Sequence, residues 1–111
     1  MKPRIAPSER IQQEMKDFLQ QGSVSGEQPL SQFIRLAVQG VIQQALEEEV
    51  TDYLGRERYE RQPEVTGYRN GYKPGHMRSA EGEITFAMPQ VRGSRETYRS
   101  QLMTFLRGNS D

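Results

Sequence analysis

Cysteine is absent from this chain, which removes disulfides and thiolate metal sites at once. Tryptophan is absent too, and His76 is the one histidine in 111 residues. A lone imidazole without a spaced second ligand makes a poor zinc site, so His76 reads as a loop residue or as one that contacts backbone or phosphate. No apolar run is long enough to span a bilayer, and the amino terminus has no signal-peptide core. The expectation is a soluble, cytoplasmic chain with no membrane partner. No Ser/His/Asp constellation assembles, since the serines cluster in linker-like stretches. Gly67, Gly71, Gly75 and Gly82 serve turns, and no strand–glycine–helix order makes a phosphate loop of them. The sequence therefore offers no catalytic residues and no metal site.

Apolar residues are scarce as well, at 33%, with a mean hydropathy of −0.87. A domain this small hides roughly 60–70% of the surface its unfolded chain exposes, so a modest core is what the chain can build. Further burial would have to come from a partner. Net charge is zero, but the charges are segregated. Between residues 42 and 55 stand Glu47, Glu48, Glu49 and Asp52 with no base. Between residues 56 and 78, six bases (Arg56, Arg58, Arg61, Arg69, Lys73, Arg78) face three acids (Glu57, Glu60, Glu64), a local net of 6 − 3 = +3. A basic surface that meets phosphate and an ordinary mixed solvated surface both fit this pattern.

Pro7-Ser8 marks a first helix, with Ser8 as its cap and Ile11, Met15, Phe18 and Leu19 as its apolar stripe. Residues 22–29 have linker composition. A long helix follows over 31–54, roughly 36 Å at 1.5 Å per residue, with Ser31 as its cap and Gly55 as its terminator. Its stripe of Phe33, Ile34, Ala37, Val38, Val41, Ile42, Ala45 and Leu46 suits either pairing of two chains or the core of a monomer. Consecutive helix residues point about 100° apart, so Glu47, Glu48 and Glu49 cannot converge on a metal and read as a solvated face.

Residues 66–92 are the β segment. Asn70-Gly71, bracketed by Tyr68 and Tyr72, is a tight-turn signal, and a second reversal is expected at Glu81-Gly82. Ile84, Phe86 and Met88 then alternate with Thr85 and Ala87 as a half-buried strand closed by Pro89. Past Gly93-Ser94, a last helix is expected with Tyr98, Leu102, Phe105 and Leu106 on its stripe. The fold class is α+β: amphipathic helices, one long, flanking a small antiparallel β-hairpin sheet. In chain order the segments are 1–28 (helix and linker), 29–55 (long helix), 56–93 (basic β unit) and 94–111 (carboxy-terminal helix).

The ordered series Arg69-Asn70-Gly71-Tyr72, Gly82-Glu83-Ile84-Thr85-Phe86, Met88-Pro89 and Arg92-Gly93 resembles the amino-terminal region of Mutator-type DNA transposases. The acidic helix ending in Tyr53-Leu54-Gly55 fits as well, and the resemblance covers roughly residues 30–111. Gln90 stands where the family carries an arginine directly after the proline, which leaves the basic turn to Arg92 and Arg95. The resemblance implies a part in DNA transposition, with double-stranded DNA at the element's terminal inverted repeats as partner. It also implies that a ribonuclease-H-like catalytic domain, with acids holding two divalent metals, would follow residue 111. No cofactor is expected in this chain itself.

On this reading the DNA-contacting candidates are Arg56, Arg58, Arg61, Arg69, Asn70, Lys73, His76, Arg78, Arg92 and Arg95. Arg56, Arg58 and Arg61 would equally complement the dipole at the end of the long helix. Tyr68 and Tyr72 would equally pack across strands. The long helix carries self-association, as a dimer. The rival reading is a pure assembly module, or a remnant without DNA binding of its own.

Overall fold

The computed structural model describes residues 5–22, 28–60, 67–94 and 97–108, with the backbone alone for 56–60. The order is α1 (Pro7–Gln21), α2 (Pro29–Glu60), β1 (Tyr68–Ser79), β2 (Gly82–Arg92) and α3 (Gln101–Leu106), with β1 and β2 forming a two-stranded sheet. The α+β class holds, with one long helix and one antiparallel hairpin. Two compact units divide the chain: Met1–Gln44 with Gly75–Phe86, and Ala45–Pro74 with Ala87–Asp111. Each takes half of α2 and half of the hairpin.

In the first unit α1 opens on Pro7, whose fixed φ suits a first helical position. Ala6 holds the cap position without a side-chain bond, and Ser8, the expected cap, is buried instead. Gly22 ends the helix at φ 79°, its N–H donating to the Phe18 carbonyl at 2.7 Å. Ile11 is buried against α2 where Gly40 lets the helices close: a Cβ there would lie 3.4 Å from the Ile11 side chain. Phe18 and Phe33 stack at 6.5 Å between ring centres. Leu19, expected on the packed stripe, is 64% exposed.

Ile84 and Phe86 are buried while Glu83 and Thr85 face out, the period-two pattern expected of them. The hairpin reverses through Ala80 and Glu81, with Gly82 at φ 116°. Ser79 braces this turn, its hydroxyl donating to the Gly82 carbonyl at 2.7 Å and accepting from the Glu81 amide at 3.2 Å. A row one helical turn apart on α2 meets the tip. Ser31 donates to the Glu81 carboxylate (3.3 Å), Arg35 to the Glu81 carbonyl (3.3 Å) and Gln39 to Thr85 Oγ1 (3.5 Å).

The second unit buries Leu46, Val50 and Leu54, four apart on one face of α2, with Met103 of α3. Tyr53 lies 4.9 Å from Tyr98, ring centre to ring centre. Three boundaries differ from expectation here. Asn70-Gly71 is no turn: both lie inside β1, and Gly71 at φ 75° gives the local kink that a positive-φ glycine allows in a strand. Gly55 does not end α2, which runs on to Glu60, because a helical glycine costs only about 1 kcal/mol against alanine. Pro89 is buried within β2 instead of closing it, tolerable because every strand of a two-stranded sheet is an edge.

The last helix is shorter than its stripe suggested. It starts after Ser100, whose hydroxyl accepts from the Met103 amide, so Tyr98 precedes it. Met103 is its buried residue, and Phe105 is 78% exposed.

Candidate nucleic-acid interface

Strand alternation decides which polar side chains of the hairpin face solvent. From residue 75 onward Gly75, Met77 and Ser79 are half-buried, while His76 and Arg78 point outward. The two-residue turn sets Ser79 opposite Gly82, and so Arg78 opposite Glu83 on the outer face. His76 and Arg78 therefore share one face in the first unit, with an acid across from the arginine. That acid weakens the face for a polyanion without cancelling it.

Arg69, Asn70, Lys73 and Arg92 belong to the second unit and are exposed. Arg69 is engaged: its guanidinium donates to Thr51 Oγ1, whose hydroxyl in turn donates to the Glu47 carbonyl at 3.1 Å. Lys73 lies on a cleft described below. The side chains of Lys73, His76, Arg78 and Arg92 make no hydrogen bond or ion pair among the described residues. Tyr68 and Tyr72 are 55% and 45% exposed, so neither is sealed into the sheet. Arg56 and Arg58 lie in the last turns of α2, where only the backbone is described, and Arg61 and Arg95 lie outside the described residues. Six of the ten sequence candidates have described side chains: His76 and Arg78 lie in the first unit, and Arg69, Asn70, Lys73 and Arg92 in the second.

Of the expected pairing stripe, Ile42 (8% exposed) and Leu46 (0%) lie in the chain's own core. Val38 and Val41 are exposed, Val41 at 69%, as are Phe33 and, one turn earlier, Leu30. Ile34, Ala37 and Ala45 are half-buried.

Glu49 departs most from its expected place on a solvated face. Its carboxylate accepts from the Tyr98 hydroxyl (3.1 Å), the Ser100 hydroxyl (2.6 Å), and the amides of Gln101 (2.9 Å) and Leu102 (3.2 Å). It satisfies the orphan amides of α3's first turn and places a negative charge at that helix's positive end. Burial, followed by the Glu49 charge, pushes the Tyr98 hydroxyl well above its ordinary value of 10.0. Among the described residues no group of three or more His, Cys, Asp or Glu side chains is placed to hold a metal ion. No helix there is long and apolar enough to cross a membrane.

The model of the Mutator family of transposases matches residues 10–107. This chain belongs to that family. A Mutator-type assignment covers both units, since the match reaches from α1 to the last turn beyond α3. Among curated proteins, the transposase for insertion sequence element IS406 of Burkholderia multivorans is 38% identical over 58 residues. That alignment takes in 52% of this chain and 15% of the relative, so the chain corresponds to a small part of the relative's length.

Proposed function

We propose that this chain serves DNA transposition by gripping the backbone of double-stranded DNA at an element's terminal repeats and by joining copies of itself. Metal-dependent strand cutting and joining would belong to a catalytic domain elsewhere in a transposase. The observation that carries the DNA reading is the set of exposed groups on the hairpin without a partner among the described residues: the cations Lys73, Arg78 and Arg92, with His76. Phosphate contacts need cations on a rigid frame, and a two-stranded ribbon is such a frame.

Anisotropy of a labelled duplex, titrated with the whole chain over a range of salt, tests this. Binding should weaken with salt at a log–log slope near −0.9 per neutralised phosphate. Arg78→Gln and Arg92→Gln should each reduce the slope by about one, and Lys16→Gln on α1 should not. A chain that binds no duplex at low salt sinks the reading.

Self-association has its own support. Leu30, Val38 and Val41 are exposed along α2, and the stripe they form with Ile34, Ala37 and Ala45 carries no charge. A stripe with no charge of either sign matches itself, which favours a second copy as its cover. Light scattering should find a dimer that Val41→Glu converts to monomer. A monomer at every concentration in the parent chain removes the assembly role whatever the DNA result.

A further inference from the structure

We infer that a cleft in the second unit seats one phosphodiester of the DNA backbone, held by Lys73, Arg99 and Arg107. The proposal rests on the DNA-binding reading and extends it to two arginines outside the hairpin. The cleft has a volume of about 340 Å³. One wall is a face of the α3 segment: Ser100, Met103, Thr104 and Arg107 recur at i, i+3, i+4 and i+7, the spacing that stacks side chains on one side of a helix. The facing wall is strand, with Lys73 from β1 and Met88, Pro89 and Gln90 from β2.

Among the described residues, every charged one that lines the cleft is a cation. Lys73, Arg99 and Arg107 are exposed, and their side chains have no partner among the described residues. Glu49 and Arg69, by contrast, are spent on partners within the unit. Three idle cations around one concavity are what an anion needs. Met103 and Pro89 are buried and give the cleft an apolar floor. A phosphodiester brings both matching parts, with oxygens for the guanidinium groups and sugar carbons for the floor.

One charge opposes. The Glu49 carboxylate bonds to Tyr98 and Ser100, which line the cleft, and it offsets one of the three cations. Its oxygens already accept four donors, and the Tyr98 hydroxyl is turned to it, so the carboxylate acts on the cations through its charge alone.

The test is the same duplex titration with the whole chain, now carrying Arg99→Gln, Arg107→Gln or both. Each should lower the magnitude of the salt slope by about one, while Arg99→Lys and Arg107→Lys, which keep the charge, should leave it unchanged. Thr104→Glu adds a carboxylate to the cleft without removing a cation, and should weaken binding at low salt at least tenfold. If both glutamine variants and Thr104→Glu bind with the parent's affinity and slope, the cleft is not a phosphate seat, while the hairpin reading survives through Arg78 and Arg92. If the parent itself binds no duplex, both readings fall together.

Discussion

The two units are built on successive halves of one helix, yet they are held by different means. In the first, α2 meets the hairpin tip through separate hydrogen bonds of 3.3–3.5 Å from Ser31, Arg35 and Gln39, and Ile11, Ile42, Ile84 and Phe86 are buried, as are the polar Ser8 and Gln43. In the second, one carboxylate gathers four donors from a segment about fifty residues away. Their clefts differ in the same sense. Glu14 and Asp17 line one in the first unit, whereas Lys73, Arg99 and Arg107 line that of the second. A net charge of zero conceals this division. What the contrast teaches is that the second unit gathers its donors on one acid, whereas the first spreads its polar contacts over several side chains.

The most direct way to break that contrast is to remove Glu49. Glu49→Ala strands the amides of Gln101 and Leu102 and the hydroxyls of Tyr98 and Ser100. Hydrogen bonds to a charged group contribute about 1.5–3 kcal/mol each, with solvent able to replace part of that in a half-exposed site. The expected loss is about 2–4 kcal/mol in a urea denaturation with unchanged m-value. Gln39→Ala removes one long bond in the first unit and should cost about 0.5 kcal/mol or less. Equal losses would erase the distinction between the units.

Glycines sharpen it from the other side. Gly82→Ala forces a side chain onto φ 116° and brings its Cβ to 3.2 Å from Arg35 Nη1, at a cost of about 1–3 kcal/mol by thermal melting. Gly55→Ala in the second unit meets open space inside a continuous helix and should stabilise by about 0.5–1 kcal/mol. These two residues also measure how far the sequence could be read. Gly82 was legible because alternation from Ile84 onward required a reversal just before it. Gly55 and Asn70-Gly71 were misread, since each is a sound local stop signal that continuing helix or strand pairing overrode at a cost of about 1 kcal/mol.

The site was legible where it is local and illegible where it is not. Period-two alternation correctly turns Ile84 and Phe86 inward, and the turn then fixes His76 and Arg78 outward. Glu49 was assigned to a solvated face because its partners, Tyr98 to Leu102, are remote in the chain and nothing in the run Glu47-Glu48-Glu49 distinguishes the third acid. Arg99 and Arg107, the arginines of the proposed phosphate seat, went unnamed for a related reason. They flank a short helix whose inward face is set by Met103, whereas the apolar stripe through Tyr98, Leu102 and Phe105 pointed to a different face. The signal was there in Ser100, Met103, Thr104 and Arg107, but choosing between two stripes needed the cap at Ser100.

The smallest expected effect tests the second unit's polar organisation through pH. Tyr98 titrates well above 10.0 in the folded chain because burial and the Glu49 charge disfavour its phenolate. A raised folded pKa means the unfolded chain releases the proton first, so this stabilisation is full below pH 10 and declines as pH rises above it. Tyr98→Phe gives up the bond to Glu49 at neutral pH, a loss of about 1 kcal/mol. The same substitution should flatten the fall in stability above pH 10, so that the urea midpoints of the two proteins converge on the alkaline side. Parallel curves through that range would show that the Tyr98 hydroxyl meets water in both states, and that Glu49 organises its unit through the serine and the two amides alone.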